Sequence, residues 1–113
     1  MKQVQEALQS TGIPAFAGAW KATEQSPTAP DQYLVYTTMI REDEHWDDNY
    51  RCYQVYVYLN LWTLNDPTDA ARKVRKAMRD ADFAMIEQSD SYNDDTRMTL
   101  IAWTWVRWME DEP

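Results

Sequence analysis

Glycine, cysteine and histidine are scarce in this 113-residue sequence, and each shortage excludes a class of site. With two glycines, the chain has no glycine-rich loop of the kind that cradles phosphates. Cys52 is the only cysteine and His45 the only histidine, so a zinc site built from Cys and His ligands cannot be assembled. A lone cysteine also forms no internal disulfide, which favours a reducing, intracellular setting.

Nucleophilic catalysis is restricted by the same shortages. A cysteine–histidine pair needs both side chains in one cleft, whereas Cys52 falls in a predicted strand and His45 in a predicted loop. A Ser-His-Asp triad would also have to use His45, and the sequence has no G-x-S-x-G turn. We therefore predict that the protein is not an enzyme and has no catalytic residues, metal or cofactor.

Long apolar runs and an excess of positive charge are missing too. No run of 18 apolar residues is present, and the opening residues MKQVQEALQS do not resemble a signal peptide, so no membrane association is expected. Eleven Lys and Arg face nineteen Asp and Glu, for a net charge of -8. Because affinity for duplex DNA comes from Lys and Arg that displace counterions, the composition argues against general DNA binding.

The stretch from Tyr50 to Thr63 has the clearest pattern in the sequence. Its residues alternate with the period of two that is typical of a strand, and they are rich in aromatic and β-branched types. The odd positions predict a core-facing side: Tyr53, Val55, Val57, Leu59 and Leu61. The even positions carry more aromatic surface than a solvated face needs: Cys52, Gln54, Tyr56, Tyr58, Asn60 and Trp62. We therefore expect this second side to meet a partner as well.

The remaining elements follow from periodicity and from turn residues. We predict a short helix over residues 2–9, an irregular connection over 13–32, and further strands over 33–40, 83–88 and 97–109. Asp66 and Pro67 predict the start of the main helix. Its apolar stripe is Ala70, Ala71, Val74, Ala77, Met78 and Ala81, and its opposite face carries Arg72, Lys73, Arg75, Lys76 and Arg79.

These elements predict one α+β domain over residues 1–113. A right-handed crossover through the main helix leaves a gap that the last strand fills, which predicts a four-stranded antiparallel sheet in the order 1-2-4-3. The main helix is expected on one face of this sheet, against the odd positions of the central strand, and the short N-terminal helix accompanies it.

Two sets of residues are candidates for interactions. The surplus aromatic residues and the basic helix face form a predicted subunit interface: Tyr56, Tyr58, Trp62, Trp103, Trp105, Arg72, Arg75 and Arg79. The acidic loop between the first two predicted strands is the second set: Glu42, Asp43, Glu44, His45, Trp46 and Asp47. The loop carboxylates could alternatively hold a hard cation, but the glycine and the terminal glutamate of a calcium-binding loop are lacking, so a solvated acidic loop is expected.

The order of these elements resembles that of the tail-completion (tail-terminator) proteins of long-tailed bacteriophages. The matching pieces extend over nearly the whole chain: Thr11-Gly12-Ile13-Pro14, the strand that begins with Tyr33 to Tyr36, the strand from Tyr53 to Trp62, the Asp66-Pro67 helix start, and Tyr92 before the last strand. Each piece is short and structural.

The resemblance implies a structural virion protein of the tail or neck that is assembled in the host cytoplasm. Its subunits would form a homo-oligomeric ring, commonly of six copies, that caps the tail tube and joins it to the head completion or connector proteins. DNA would pass through the ring without specific binding, and the acidic loop from Glu42 to Asp47 would be an arm toward the next ring. Two alternatives stay open: a head–tail connector or other neck protein, and a monomeric domain that binds a small ligand or peptide on its aromatic sheet face.

Overall fold

The computed structural model describes residues 2–20, 28–44 and 51–110. In chain order its elements are α1 (Lys2–Gln9), β1 (Ala15–Ala17), β2 (Gln32–Glu44), β3 (Arg51–Thr63), α2 (Thr68–Asp80), β4 (Ala84–Asn93) and β5 (Met98–Met109). The strands form one sheet in the order β1-β2-β3-β5-β4. The β1–β2 pair is parallel and the other neighbouring pairs are antiparallel.

The prediction of a four-stranded antiparallel sheet in the order 1-2-4-3 is wrong, because the sheet is mixed and has five strands. The additional strand, β1, lies in the segment that was predicted to be irregular. Two backbone hydrogen bonds tie this segment to β2: Leu34 N donates to Pro14 O at 2.8 Å, and Gly18 N donates to Tyr36 O at 2.9 Å. A strand of three residues is too short to show an alternating pattern, so only its pairing reveals it.

Two strands are longer than their sequence patterns indicated. β2 continues to Glu44, which is paired with Arg51 of β3, and β4 continues to Asn93, which is paired with Met98 of β5. The added residues are polar, and β4 is exposed along its whole length as an edge strand. Pairing with a long apolar neighbour thus extends both strands into sequence that resembles a loop.

The core lies between the helices and one face of the sheet. On that face Leu59 is opposite Trp103 and Val57 is opposite Trp105, and all four side chains are buried. The helices complete the same cluster with Val4 and Leu8 from α1 and with Ala70, Ala71, Val74 and Met78 from α2. The apolar stripe predicted for the main helix is therefore the side that packs on the sheet.

Local hydrogen bonds define both ends of α2. At its start, the Asp66 carboxylate accepts a hydrogen bond from Thr68 N at 2.9 Å, as a capping residue does. At its end, Asp82 adopts a positive φ of 68°, and Phe83 N donates to Met78 O at 3.0 Å. This is a Schellman ending, in which the buried Phe83 directs the chain into β4.

Candidate assembly interface

The side of the sheet that faces away from the helices has no layer of described residues over its three central strands. We call this side of β2, β3 and β5 the open face; the cross-strand register assigns to it Tyr33, Val35, Thr37, Met39, Arg41, Gln54, Tyr56, Tyr58, Asn60, Trp62, Leu100, Ala102, Thr104, Val106 and Trp108. Arg41, at one end of the face, is the single charged residue of this set, although 27% of the chain is charged. Loss of charge together with aromatic enrichment is typical of the centre of a protein interface.

The predicted interface residues of the central strand lie on the open face. Tyr58 is 42% exposed, and Tyr56 and Trp62 are half-buried. The hydroxyl of Tyr56 donates a hydrogen bond to Oε1 of Gln54 at 3.0 Å, which orients the ring across the face. All three side chains remain partly accessible in the single chain.

One end of the open face carries an ordered aromatic cluster. The rings of Tyr33 and Trp62 are stacked with centroids 6.4 Å apart, and Phe16 of β1 meets Tyr33 edge-on at 6.2 Å. Burial raises the pKa of the Tyr33 hydroxyl. This end of the face is therefore preorganised by contacts within the chain.

The other end of the open face exposes apolar side chains that the sequence analysis did not assign to it. Met39 is opposite Tyr56, which is opposite Val106 of β5, and Trp108 is opposite Gln54. Met39 is 42% exposed and Trp108 is 57% exposed. The same alternation, applied to β5, would have identified Val106 and Trp108 as well, because the even positions of β5 share one face.

Trp103 and Trp105 do not belong to the accessible surface. Both lie on the helix side of β5, where they are 2% and 0% exposed. The Nε1 group of Trp103 donates a hydrogen bond to Oε1 of Gln88 at 2.7 Å, whereas Nε1 of Trp105 is buried with no partner among the described residues. Both were predicted to belong to the subunit interface as surplus aromatic residues; the two helices and the long sheet instead enclose them in the core.

The basic residues of α2 lie on the opposite side of the sheet from the open face. Arg72 and Arg79 are exposed and Arg75 is half-buried. Arg72 approaches Asp69 at 3.7 Å, and Lys76 binds Asp80 at 2.7 Å, a contact that raises the pKa of Lys76.

Three basic residues of this helix have no ion pair with a described residue: Lys73, Arg75 and Arg79. We call the surface formed by the five basic residues of α2 the basic face: Arg72, Lys73, Arg75, Lys76 and Arg79. This face is therefore only partly neutralised within the chain.

The predicted acidic arm is described only in part. Glu42, Asp43 and Glu44 lie in β2, within the hairpin rather than in a loop. His45, Trp46 and Asp47 lie outside the described residues. Within the described ranges, no group of three or more His, Cys, Asp or Glu side chains is arranged to hold a metal ion.

Two of the hollows on the described part of the surface lie near charged residues. One, of about 450 Å³, lies at the β4–β5 turn beside the aromatic end of the open face, and we call it the turn hollow. It is lined by Trp62, Ser91, Tyr92, Asn93, Asp94, Asp95, Met98 and Leu100. The other, of about 490 Å³, lies between α1 and the end of α2, where Arg107 is accompanied by Glu6, Asp80 and Asp82.

The turn hollow has a defined backbone and unneutralised acidic groups. Oδ1 of Asn93 accepts hydrogen bonds from Asp95 N at 2.9 Å and Thr96 N at 3.3 Å, and Arg97 closes the turn with a φ of 58°. Asp94 and Asp95 are exposed and form no ion pair with any residue that the structure describes. This segment is not among the interaction residues predicted from the sequence.

Comparison with known proteins adds no assignment: neither a protein-family model nor a curated protein matches this chain. Among the described residues, no helix is long and apolar enough to cross a membrane.

Proposed function

We propose that this protein is a non-enzymatic structural subunit that acts by assembling with copies of itself. The observation that carries the proposal is the open face, which has a single charged residue at one end, is rich in tyrosine and tryptophan, and is uncovered by described residues. Three strands about 4.8 Å apart, followed for about nine residues, present roughly 400 Å². The largest apolar patch on a typical soluble protein is of about this size and is often functional.

The two sides of the sheet suit a head-to-tail assembly. One side is occupied by the chain's own helices and the other is available to a neighbour, so each subunit offers two different surfaces. Contacts between unlike surfaces produce a ring when the rotation between subunits closes. The net charge of -8 opposes non-specific contact between copies, which leaves the open face, with its low charge, as a favoured meeting surface.

The resemblance to phage tail-completion proteins supplies the setting of this proposal. The ring, commonly of six copies, would cap the tail tube and join it to head completion or connector proteins in the virion. DNA would pass through the lumen, and an acidic protein would bind it weakly. A head–tail connector or other neck protein is the alternative among structural virion proteins.

Charge introduced into the open face tests the proposal. Tyr58→Asp places a carboxylate at a position that is 42% exposed, so the single chain should still fold while association is lost. Leu64→Asp is the matched control, because Leu64 is 46% exposed but lies beyond the end of β3. Sedimentation velocity at physiological salt measures association, and circular dichroism checks the fold.

We expect wild type and Leu64→Asp to form the same oligomer and Tyr58→Asp to be a folded monomer. A wild-type chain that stays monomeric at every concentration, also with tail-tube protein present, would refute the assembly and favour a monomeric domain that binds a ligand or peptide. Electron microscopy of particles assembled without this protein distinguishes a tail terminator from a head–tail connector: overlong or unjoined tails indicate a terminator.

A further inference from the structure

We propose that the open face is covered by the basic face of α2 from a second copy, with a basic side chain of that helix inserted in the turn hollow. This inference rests on the proposed self-assembly and names the two surfaces that meet.

The turn hollow has the chemistry of a site for a guanidinium or ammonium group. The indole of Trp62 provides an aromatic wall, and Asp94 and Asp95 provide carboxylates beside it. A cation is attracted by the face of an aromatic ring and forms charge-assisted hydrogen bonds with carboxylates. Arg97 is the basic residue of the same turn, yet it forms no ion pair with Asp94 or Asp95. The site therefore retains acceptors for a cation from outside the chain.

The rest of the open face suits the stems of basic side chains. Arginine and lysine lay their methylene groups along apolar surface while the charged end reaches a polar partner. Tyr58, Tyr56 and Val106 provide that apolar surface, and the amides of Asn60 and Gln54 provide hydrogen-bond acceptors. The one positive charge of the open face, Arg41, is opposite Gln54, at the end away from the turn hollow, so it does not lie where the basic side chain is inserted.

The basic face of α2 is the matching surface on the next subunit. It concentrates five of the chain's eleven Lys and Arg residues in an otherwise acidic protein. Lys73, Arg75 and Arg79 have no ion pair with a described residue, so they can bind outside the chain. Complementary charge of this kind directs both orientation and partner choice.

Dimensions and symmetry agree with this contact. α2 has 13 residues, which corresponds to a length of about 20 Å, shorter than the roughly 30 Å over which the open face extends along its strands. The basic face and the open face lie on opposite sides of one sheet. A contact between them is therefore head-to-tail, and each subunit can make it twice, once with each neighbour.

Charge reversal on each surface, and then on both, tests the contact. The first variant is Arg75→Glu with Arg79→Glu, and the second is Asp94→Lys with Asp95→Lys. The third combines all four substitutions. Net charge changes in opposite directions in the first two variants and returns to the wild-type value in the third. A general charge effect would therefore strengthen association in one of the first two and weaken it in the other.

We expect each of the first two variants to weaken association at least about tenfold in sedimentation velocity, and the combined variant to recover most of the loss. Circular dichroism confirms that each chain is folded. Loss in both variants without recovery in the combination would overturn the direct pairing. If the reversals have no effect while Tyr58→Asp abolishes association, the inference fails and the proposed function stands. A wild-type chain that never associates would refute the proposed function itself.

Discussion

Trp103 and Trp105 allow the energetic cost of an unpaired buried N–H group to be measured against a matched control. Both are tryptophans of β5, both are buried on the same face, and they differ in their polar contacts. Nε1 of Trp103 donates to Gln88, whereas Nε1 of Trp105 has no acceptor among the described residues. Replacing each by phenylalanine removes an N–H group and about the same volume.

The expected changes in the free energy of unfolding follow from these contacts. The smaller phenyl ring loses about 1 kcal/mol of transfer free energy and leaves a void of about 40 Å³, which at ~24 cal/mol per Å³ costs about 1 kcal/mol more. Trp105→Phe also removes an unsatisfied buried donor that costs about 1–3 kcal/mol, so its net effect on the free energy of unfolding is close to zero. Trp103→Phe loses a hydrogen bond worth about 1 kcal/mol, so its total loss is about 3 kcal/mol.

Urea denaturation measures the two free energies of unfolding at a protein concentration low enough to keep the chain monomeric, because assembly would raise apparent stability. Trp103→Phe should lower the free energy of unfolding by about 3 kcal/mol more than Trp105→Phe does. Equal losses, or a larger loss for Trp105→Phe, would show that the Trp105 indole has a partner in the folded protein and would refute the reasoning.

Three further predictions concern local structure and the core. Asp82→Gly should raise the free energy of unfolding by about 0.5–1 kcal/mol in thermal or urea unfolding, because glycine adopts a positive φ without the steric cost that Asp82 bears; a loss of stability would show that the carboxylate contributes to the fold. Asp66→Asn tests the capping carboxylate: its hydrogen bonds with Thr68 lower the pKa of Asp66, so its stabilising effect is present above about pH 4 and lost as pH falls through the lowered pKa. The stability difference between wild type and Asp66→Asn should therefore shrink on acidification, and a difference that does not change with pH would contradict this cause. Leu59→Ala should cost about 2–5 kcal/mol because Leu59 is fully buried opposite Trp103, and a loss below about 1 kcal/mol would place Leu59 outside the core.

Local sequence pattern by itself determined the elements that have enough length to show a period. α1 and β3 lie close to their predicted bounds, and the apolar stripe of α2 packs where the helical period indicated. The assignment of Tyr56, Tyr58 and Trp62 to one side of β3 also follows from alternation alone. The physical reason is that side-chain direction in a helix or strand repeats with a fixed period.

Only the tertiary structure decided the parts that depend on pairing and enclosure. β1 exists because the backbone of β2 offers hydrogen-bond partners to a three-residue segment, and β2 and β4 extend into polar sequence because β3 and β5 extend beside them. The burial of Trp103 and Trp105, and the meeting of Trp62 with Asp94 and Asp95, likewise depend on how distant segments fold together. Such contacts join residues far apart in the chain, so no local period records them.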